Sequence, residues 1–415
     1  MNNVVPTVVE QPAASPKPVF ERGKLKAAGA RKALAAFFVS GLLFSFPGAI
    51  LPAWGHHRTW DYGVVGGYFL FTVLGVLAST WIAPPLLRRK GIGWVLTTTC
   101  ALAAIALLYL AAVSPPFSPW YRMGGLLVLG LAGGTLHSAI FHGIHSIYTH
   151  DSAATVNLAG ILFGTGCLVM ALLVSGTFFL YTAPSIQILT AVVPALFAVL
   201  YARSRFDEHE VPVQASPREL LRDVRSPGAV LLALLVFFQF GNEWAVAGWL
   251  AVFVIQRLGI SPATGLSLLA LYWFSLLVGR VIAQSLLPRV SHARILFASS
   301  IAAVFGTLLL LVTNNVSGAV VGILSIGTGF AAIYPLVVEK IGHRFPDYHP
   351  GFYNGLVSLA FAGGLLAPAS IGWFASAWGV RAVLGVPFAG SIAVFVLVIL
   401  IWIEARMEAR SSTRP

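Results

Sequence analysis

The sequence has few charged residues and almost no cysteine, and both shortages restrict the class of protein. Only 10% of its 415 residues are charged and 58% are hydrophobic, whereas a soluble domain carries about 25% charged residues. One water-soluble core cannot bury that much apolar surface, so we predict a polytopic membrane protein. The two cysteines, Cys100 and Cys167, lie in apolar segments and fit neither a disulfide framework nor a metal motif.

Other motifs are also missing. The chain has no nucleotide-binding loop, no serine elbow and no large soluble segment. A membrane enzyme or receptor is therefore disfavoured, and we expect no cofactor and no metal.

The net charge of +12 could indicate a nucleic-acid partner. The basic residues instead lie in short loops and tails, which is a pattern of membrane topology.

The apolar runs predict twelve spans, because a bilayer core needs about 20 apolar residues per helix. The spans are 33–54, 62–87, 94–113, 121–146, 155–181, 185–203, 227–256, 262–288, 292–313, 317–341, 351–374 and 380–404. We expect an all-α membrane protein in which two six-helix, pseudo-symmetric bundles are joined by a polar linker. The predicted organisation is a basic tail (1–32), an N-terminal bundle (33–203), a cytoplasmic linker (204–226), a C-terminal bundle (227–404) and a second tail (405–415).

The basic residues predict the orientation of these spans. If the N-terminus is cytoplasmic, 21 Lys and Arg residues lie on that side and four lie on the other, with Arg280 inside a span. Short cytoplasmic loops carry an excess of Lys and Arg. Both termini are therefore predicted to be cytoplasmic, in a multi-pass protein of the plasma or inner membrane.

Several local motifs add a family resemblance. They are RRKG (88–91), Gly279 and Arg280 followed by Arg289, GTGFAAIYP (327–335) and FAGGLLAP (361–368). With the 6+6 layout they resemble the major facilitator superfamily, and its fucose-permease-like branch in particular. The resemblance implies a monomeric secondary transporter that works by alternating access. Spans 1 and 4 lack the acids that proton-coupled fucose transporters use, so that coupling site does not carry over.

The stretch FFQFGNEWAVAGWL (237–250) contains the main candidate site. Gln239, Asn242 and Glu243 have i, i+3, i+4 spacing and are predicted to share one helix face near mid-membrane. Trp249 flanks them as a ring that could pack on a sugar. Such an acid should face the bundle interior or a wet cavity. Glu243 could bind substrate, carry a proton, or be a neutral acid hydrogen-bonded in a packed interface, and the sequence leaves these alternatives open.

Span 4 carries His137, His142 and His145 on one side of its helix. Histidine titrates near neutrality, so His137 and His142 are candidates for proton coupling, and His137 also for substrate binding. A polar lining of a cavity explains them equally well. A metal site would need help, because three ligands at this spacing on one helix cannot all reach one ion.

Further polar and aromatic residues complete the candidate set. Arg280 and Glu339 could form an ion pair at an inner gate. Arg88 and Arg89 of the RRKG motif are candidates for the same gate. Additional cavity-lining candidates are Asn157, Trp273, Tyr334 and Asn354.

The function expected from these features is symport of a sugar or polyol with protons, rather than sodium, across the cell membrane. The alternative is a major facilitator exporter that exchanges a drug or metabolite for protons. Beyond the substrate, the protons and the lipid bilayer, no partner is expected.

Overall fold

A computed structural model describes residues 19–144, 152–206, 227–344 and 350–412. Every regular element in these ranges is an α-helix. The helices, in chain order, are α1 (Val19–Ile50), α2 (Tyr62–Ala112), α3 (Pro119–Gly143), α4 (Ser152–Thr177), α5 (Ala183–Ala202), α6 (Pro227–Leu258), α7 (Pro262–Leu286), α8 (His292–Val312), α9 (Val316–Arg344), α10 (Pro350–Trp378) and α11 (Arg381–Ser412).

Helix α2 contains two of the predicted spans, 62–87 and 94–113, in one run of 51 residues. The two parts meet at Gly91, whose φ of 75° and ψ of 165° are not helical. Glycine has no Cβ and adopts positive φ without strain. The loop predicted between these spans is therefore a kink at a single glycine, and Arg88 and Arg89 are exposed in the helical turn before it.

The helices have the length and composition of membrane spans. Within the described ranges, ten helices are long and apolar enough to cross a bilayer. Large apolar side chains cover the outer surface, and the aromatic residues Trp81, Trp120, Trp373 and Trp378 are about 70% exposed. Such a surface is stable in lipid rather than in water. The number of twelve spans and the cytoplasmic termini stay predictions.

The two halves of the chain pack their helices in a similar way. In the N-terminal half, α1 packs on α4, and α2 packs on α3 and α5. In the C-terminal half, α6 packs on α10, and α8 packs on α9 and α11. The halves meet where α2 contacts α10, where α4 contacts α7 and where α1 contacts α6. We call this interface the seam.

The seam is closed at the end of the bundle that carries residues 51–61, here called the 51–61 end. Its backbones approach closely at Gly66 and Gly372, where a Cβ on either residue would overlap the other helix. Ser175 and Ser267 also share a hydrogen bond of 2.8 Å across the seam. The charge count predicts that this end faces away from the cytoplasm.

Candidate functional site

Helix α6 places Glu243 at its centre, and two side chains fix the surroundings of this acid. Gln239, one turn earlier, donates from Nε2 to Glu243 Oε1 at 2.9 Å and to the Phe330 carbonyl at 3.4 Å. The Tyr272 hydroxyl of α7 donates to the Glu243 backbone carbonyl at 3.2 Å. The predicted pairing of Gln239 with Glu243 is present, and α7 and α9 hold it against the seam.

An aromatic cluster crosses the seam beside Glu243. Trp244 contacts Phe44 and Phe163 of the N-terminal half, with ring centroids 5.8 and 5.9 Å apart. On its other side the Trp273 ring lies at 6.2 Å. Both halves thus contribute ring faces to the same point. Such faces pack on planar or ring-shaped solutes, while neighbouring polar groups set their orientation.

The cavity at this point is small in the present conformation. It measures about 30 Å³ and is lined by both halves, including Phe44, Gly48, Trp244, Gly248 and Pro368. A space of this size is close to that of one water molecule. A sugar-sized solute therefore requires the halves to separate at the seam.

Several polar atoms on α6 and α7 are buried and have no hydrogen-bond partner. They are Gln239 Oε1, the Trp273 indole nitrogen, and Nε and Nη1 of Arg280. Arg280 lies on α7, against Gly160 of α4, and its charge acts on Glu243. Buried polar groups are nearly always paired in folded proteins, so these unpaired atoms could form hydrogen bonds with a ligand or with water.

Two predicted members of the site lie elsewhere. Asn242 is 4% exposed, packs against Gly390 of α11 and lines a lateral groove. Trp249 is fully buried and donates to the Pro368 carbonyl at 2.8 Å, with its ring near Tyr62 and Phe69. Asn242 therefore does not join Gln239 and Glu243, and Trp249 belongs to the closed part of the seam.

The lateral groove has a volume of about 830 Å³ and runs between α2, α6, α10 and α11. Its walls are apolar and include Gly66, Phe238, Leu366 and Trp373. The last two are exposed on the outer surface. The groove thus opens toward the predicted lipid side, and the unpartnered Nδ2 of Asn242 is a polar atom in its wall.

His137 is half-buried in the N-terminal half. Its Nδ1 lies 3.2 Å from Ser40 Oγ, and its ring meets Phe37, Phe44 and Phe141 edge to face. Phe44 connects it to Trp244, so His137 lies one ring away from the central cluster. His142 is half-buried near the end of α3, and His145 lies outside the described residues.

Of the remaining candidates, the structure describes the side chain of Tyr334 only. Tyr334 is half-buried against Phe240, with ring centroids 4.9 Å apart. The side chains of Asn157, Asn354 and Glu339 lie outside the described part of the structure, and with them the predicted Arg280–Glu339 ion pair.

Gln256 is a residue of the seam that the sequence did not single out. It accepts from the Tyr62 hydroxyl at 2.9 Å and donates to the Thr59 and His56 carbonyls at 3.1 and 3.4 Å. One side chain of the C-terminal half thus binds the 51–61 loop of the other half. Two of its partners are backbone carbonyls, which every residue type has. No sequence motif could therefore have indicated this contact.

The 51–61 loop is ordered by a polar cluster of the N-terminal half. His56 Nε2 lies 3.3 Å from the Tyr68 hydroxyl, which accepts from Arg122 Nε at 2.8 Å. Burial, with the positive charge of Arg122, lowers the pKa of His56 to about 4. His56 is therefore neutral at physiological pH, and a second positive charge next to Arg122 is avoided.

Comparison with known proteins agrees with this architecture. The sequence profile of the Major Facilitator Superfamily matches residues 144–365. An uncharacterized MFS-type transporter of Yersinia pestis is 22% identical over 347 residues, which are 82% of this chain and 87% of the relative.

Two solved structures share the fold. A mutant of the nucleoside transporter NupG superposes with a TM-score of 0.69 at 12% identity, over 91% of this chain and 99% of the other. A mutant of the E. coli fucose:proton symporter FucP gives a TM-score of 0.58 at 13% identity, with the same coverage.

The fold and the seam define a multi-pass membrane transporter of two packed helical halves. The chain belongs to the Major Facilitator Superfamily. It is a secondary transporter of a small-molecule substrate and not an enzyme.

Proposed function

We propose that this transporter moves a sugar or related polyol together with protons by alternating access of its two halves. The observation that carries the proposal is the placement of Glu243. This half-buried acid is bonded to Gln239 and lies beside rings from both halves at the seam. Amide and carboxylate oxygens bind hydroxyl groups, and ring faces pack on the apolar faces of a sugar.

The seam also supports alternating access. Glycine contacts and Gln256 hold the halves together at the 51–61 end. The two halves can separate at these contacts without the unfolding of a helix. In transporters of this kind the halves rock about a central site. Glu243 lies where such motion changes the access of solvent, which suits a group that takes up and releases a proton.

Counterflow in liposomes tests the substrate class. The purified chain would be reconstituted and supplied with labelled hexoses, pentoses, polyols and nucleosides, with drugs and amino acids as controls. We expect exchange of at least one sugar or polyol. Exchange of drugs alone, with no sugar or polyol exchanged, would overturn the proposal.

The variant Glu243→Gln tests coupling. The amide keeps the size of the side chain and removes its proton, so accumulation driven by a pH gradient should be lost while counterflow persists. Unchanged accumulation would mean that Glu243 is not the coupling acid. Loss of both activities, with normal thermal stability, would assign it to substrate binding.

The lateral groove favours a second candidate, an exporter of lipophilic solutes. Its apolar walls face the predicted lipid side and its volume of about 830 Å³ fits a drug-sized molecule. Uptake of a lipophilic dye into inside-out vesicles, blocked by Leu366→Trp in the groove wall but not by Glu243→Gln, would support this alternative over sugar import.

A further inference from the structure

Arg280 presents an unmet hydrogen-bonding demand at the seam. Its Nε and Nη1 atoms are buried and have no hydrogen-bond partner. A guanidinium carries five donors and stays charged, and burying such donors without acceptors is unfavourable. An acceptor that arrives with the substrate would meet this demand.

The position of Arg280 connects it to both halves. It belongs to α7, in the C-terminal half, and its guanidinium lies so close to Gly160 of α4 that a Cβ there would overlap Nη1. The absence of a side chain at Gly160 leaves room for the guanidinium between the halves. A ligand bound to Arg280 therefore lies at the seam that opens and closes.

A second donor lies on the same face of α7. Trp273 precedes Arg280 by seven residues, which is two helical turns, and is 3% exposed. Its indole N–H also has no partner, and its ring contacts Trp244 of the central cluster. One helix thus carries two unpartnered donor groups on the same face.

Among the side chains that the structure describes, none accepts a hydrogen bond from Nε or Nη1 of Arg280. Glu243 lies within electrostatic reach of Arg280. Glu243, however, accepts its hydrogen bond from Gln239, and the unpaired Nε and Nη1 show that the carboxylate does not engage these donors directly. When Glu243 is protonated, its attraction for Arg280 disappears and the guanidinium is free to bind another anion.

We propose that Arg280 binds the carboxylate of the transported substrate, which makes that substrate a sugar acid or a similar hydroxylated monoanion. This inference rests on the proposed function, because it adds a charge to the polyol expected there. The guanidinium fork matches a carboxylate in a bidentate arrangement, and the Trp273 N–H donates to a hydroxyl of the same solute. A proton on Glu243 and an anion on Arg280 then favour each other's binding.

The test measures counterflow of labelled glucuronate and of labelled glucose in the same liposomes, with the full chain. The variants are Arg280→Gln, Arg280→Lys and, as a matched control, Arg289→Gln, which removes an exposed arginine just beyond α7. Melting temperatures in detergent show that each variant is folded.

We expect glucuronate exchange in the wild type and a loss of about tenfold or more in Arg280→Gln, since removing one partner of a buried charge pair has effects of that size or larger. Arg280→Lys should keep part of the activity, because it retains the charge but not the fork. Arg289→Gln should behave as the wild type does.

Three outcomes would overturn the inference. Exchange of glucose without glucuronate would exclude an anionic substrate and leave the proposed function intact. Exchange of neither, together with exchange of drugs, would remove the proposed function as well. Equal losses of glucuronate and glucose exchange in Arg280→Gln would make Arg280 a structural residue.

Discussion

The two halves of the molecule contribute differently to the centre of the seam. In the N-terminal half, polar side chains near the centre bond within their own half: Ser45 to the Gly41 carbonyl, Thr72 to the Tyr68 carbonyl, and Ser40 to His137. In the C-terminal half, Gln239, Trp273 and Arg280 keep polar atoms without partners. Satisfied groups stabilise a structure, whereas unsatisfied buried donors and acceptors are unfavourable until a ligand, a water molecule or an ion pairs with them.

This difference indicates a division of labour. The C-terminal half is suited to hold the solute through hydrogen bonds and charge. The N-terminal half supplies the rings of Phe44 and Phe163, which contact Trp244 and in the proposed function would cover the solute from the other side. Two halves with similar helix packing can therefore have unequal roles at the site. Small and apolar residues determine how the helices pack, whereas a few polar residues determine what the site binds.

The largest expected effect comes from removing one polar group on the C-terminal side. Gln239→Leu deletes a hydrogen bond to the Glu243 carboxylate, a kind of bond worth about 1.5–3 kcal/mol, so sugar counterflow should fall by about tenfold or more. Thr72→Val is the matched change in the N-terminal half and should have little effect. Equal losses in the two variants would mean that the halves share the binding role.

A smaller effect is expected where both halves form the closed contact. Gly372→Ala would place a Cβ against Gly66 and the Tyr62 carbonyl, so the 51–61 end could not close fully. Spin labels on cysteines introduced at the exposed positions Arg58 and Ser261 should show a longer distance, and transport should slow several-fold. Gly385→Ala is the control, since a Cβ there meets no atom within 4 Å. An unchanged label distance would refute this role of the contact.

The smallest effect is expected from Gln256→Ala. It removes two hydrogen bonds to the 51–61 loop and one from the Tyr62 hydroxyl of α2 but leaves the glycine contact in place. The label distance should therefore broaden toward longer values without a full shift. Asn315→Ala provides the comparison, because Asn315 bonds Gly318 within its own half. If both variants gave the same distribution as the wild type, Gln256 would have no part in closure.

The sequence predicted the helices well, because long apolar runs leave few alternatives in a bilayer. It also predicted the neighbourhood of Gln239 and Glu243, since i, i+4 spacing on a helix brings such side chains together. The loop predicted at 88–91 is reduced to a kink. Gly91 adopts a positive φ, and this single non-helical residue changes the direction of the chain within α2.

Asn242 shows what spacing cannot supply. It is adjacent to Glu243 in sequence and was grouped with it, but the helix turns its side chain toward Gly390 of α11. Which neighbour covers each side of a helix depends on the arrangement of the other helices, and one sequence does not state that arrangement. For the same reason the sequence did not indicate that Arg280 packs against Gly160, a residue 120 positions earlier.

The small size of the central cavity has a consequence for ion permeability. A proton crosses a hydrophobic barrier through a chain of water molecules, and a space of about 30 Å³ between Phe44 and Trp244 holds close to one. In the conformation closed at the 51–61 end, such a chain is interrupted at the level of Trp244. If transport is coupled to protons as proposed, this interruption limits proton leak through the empty carrier.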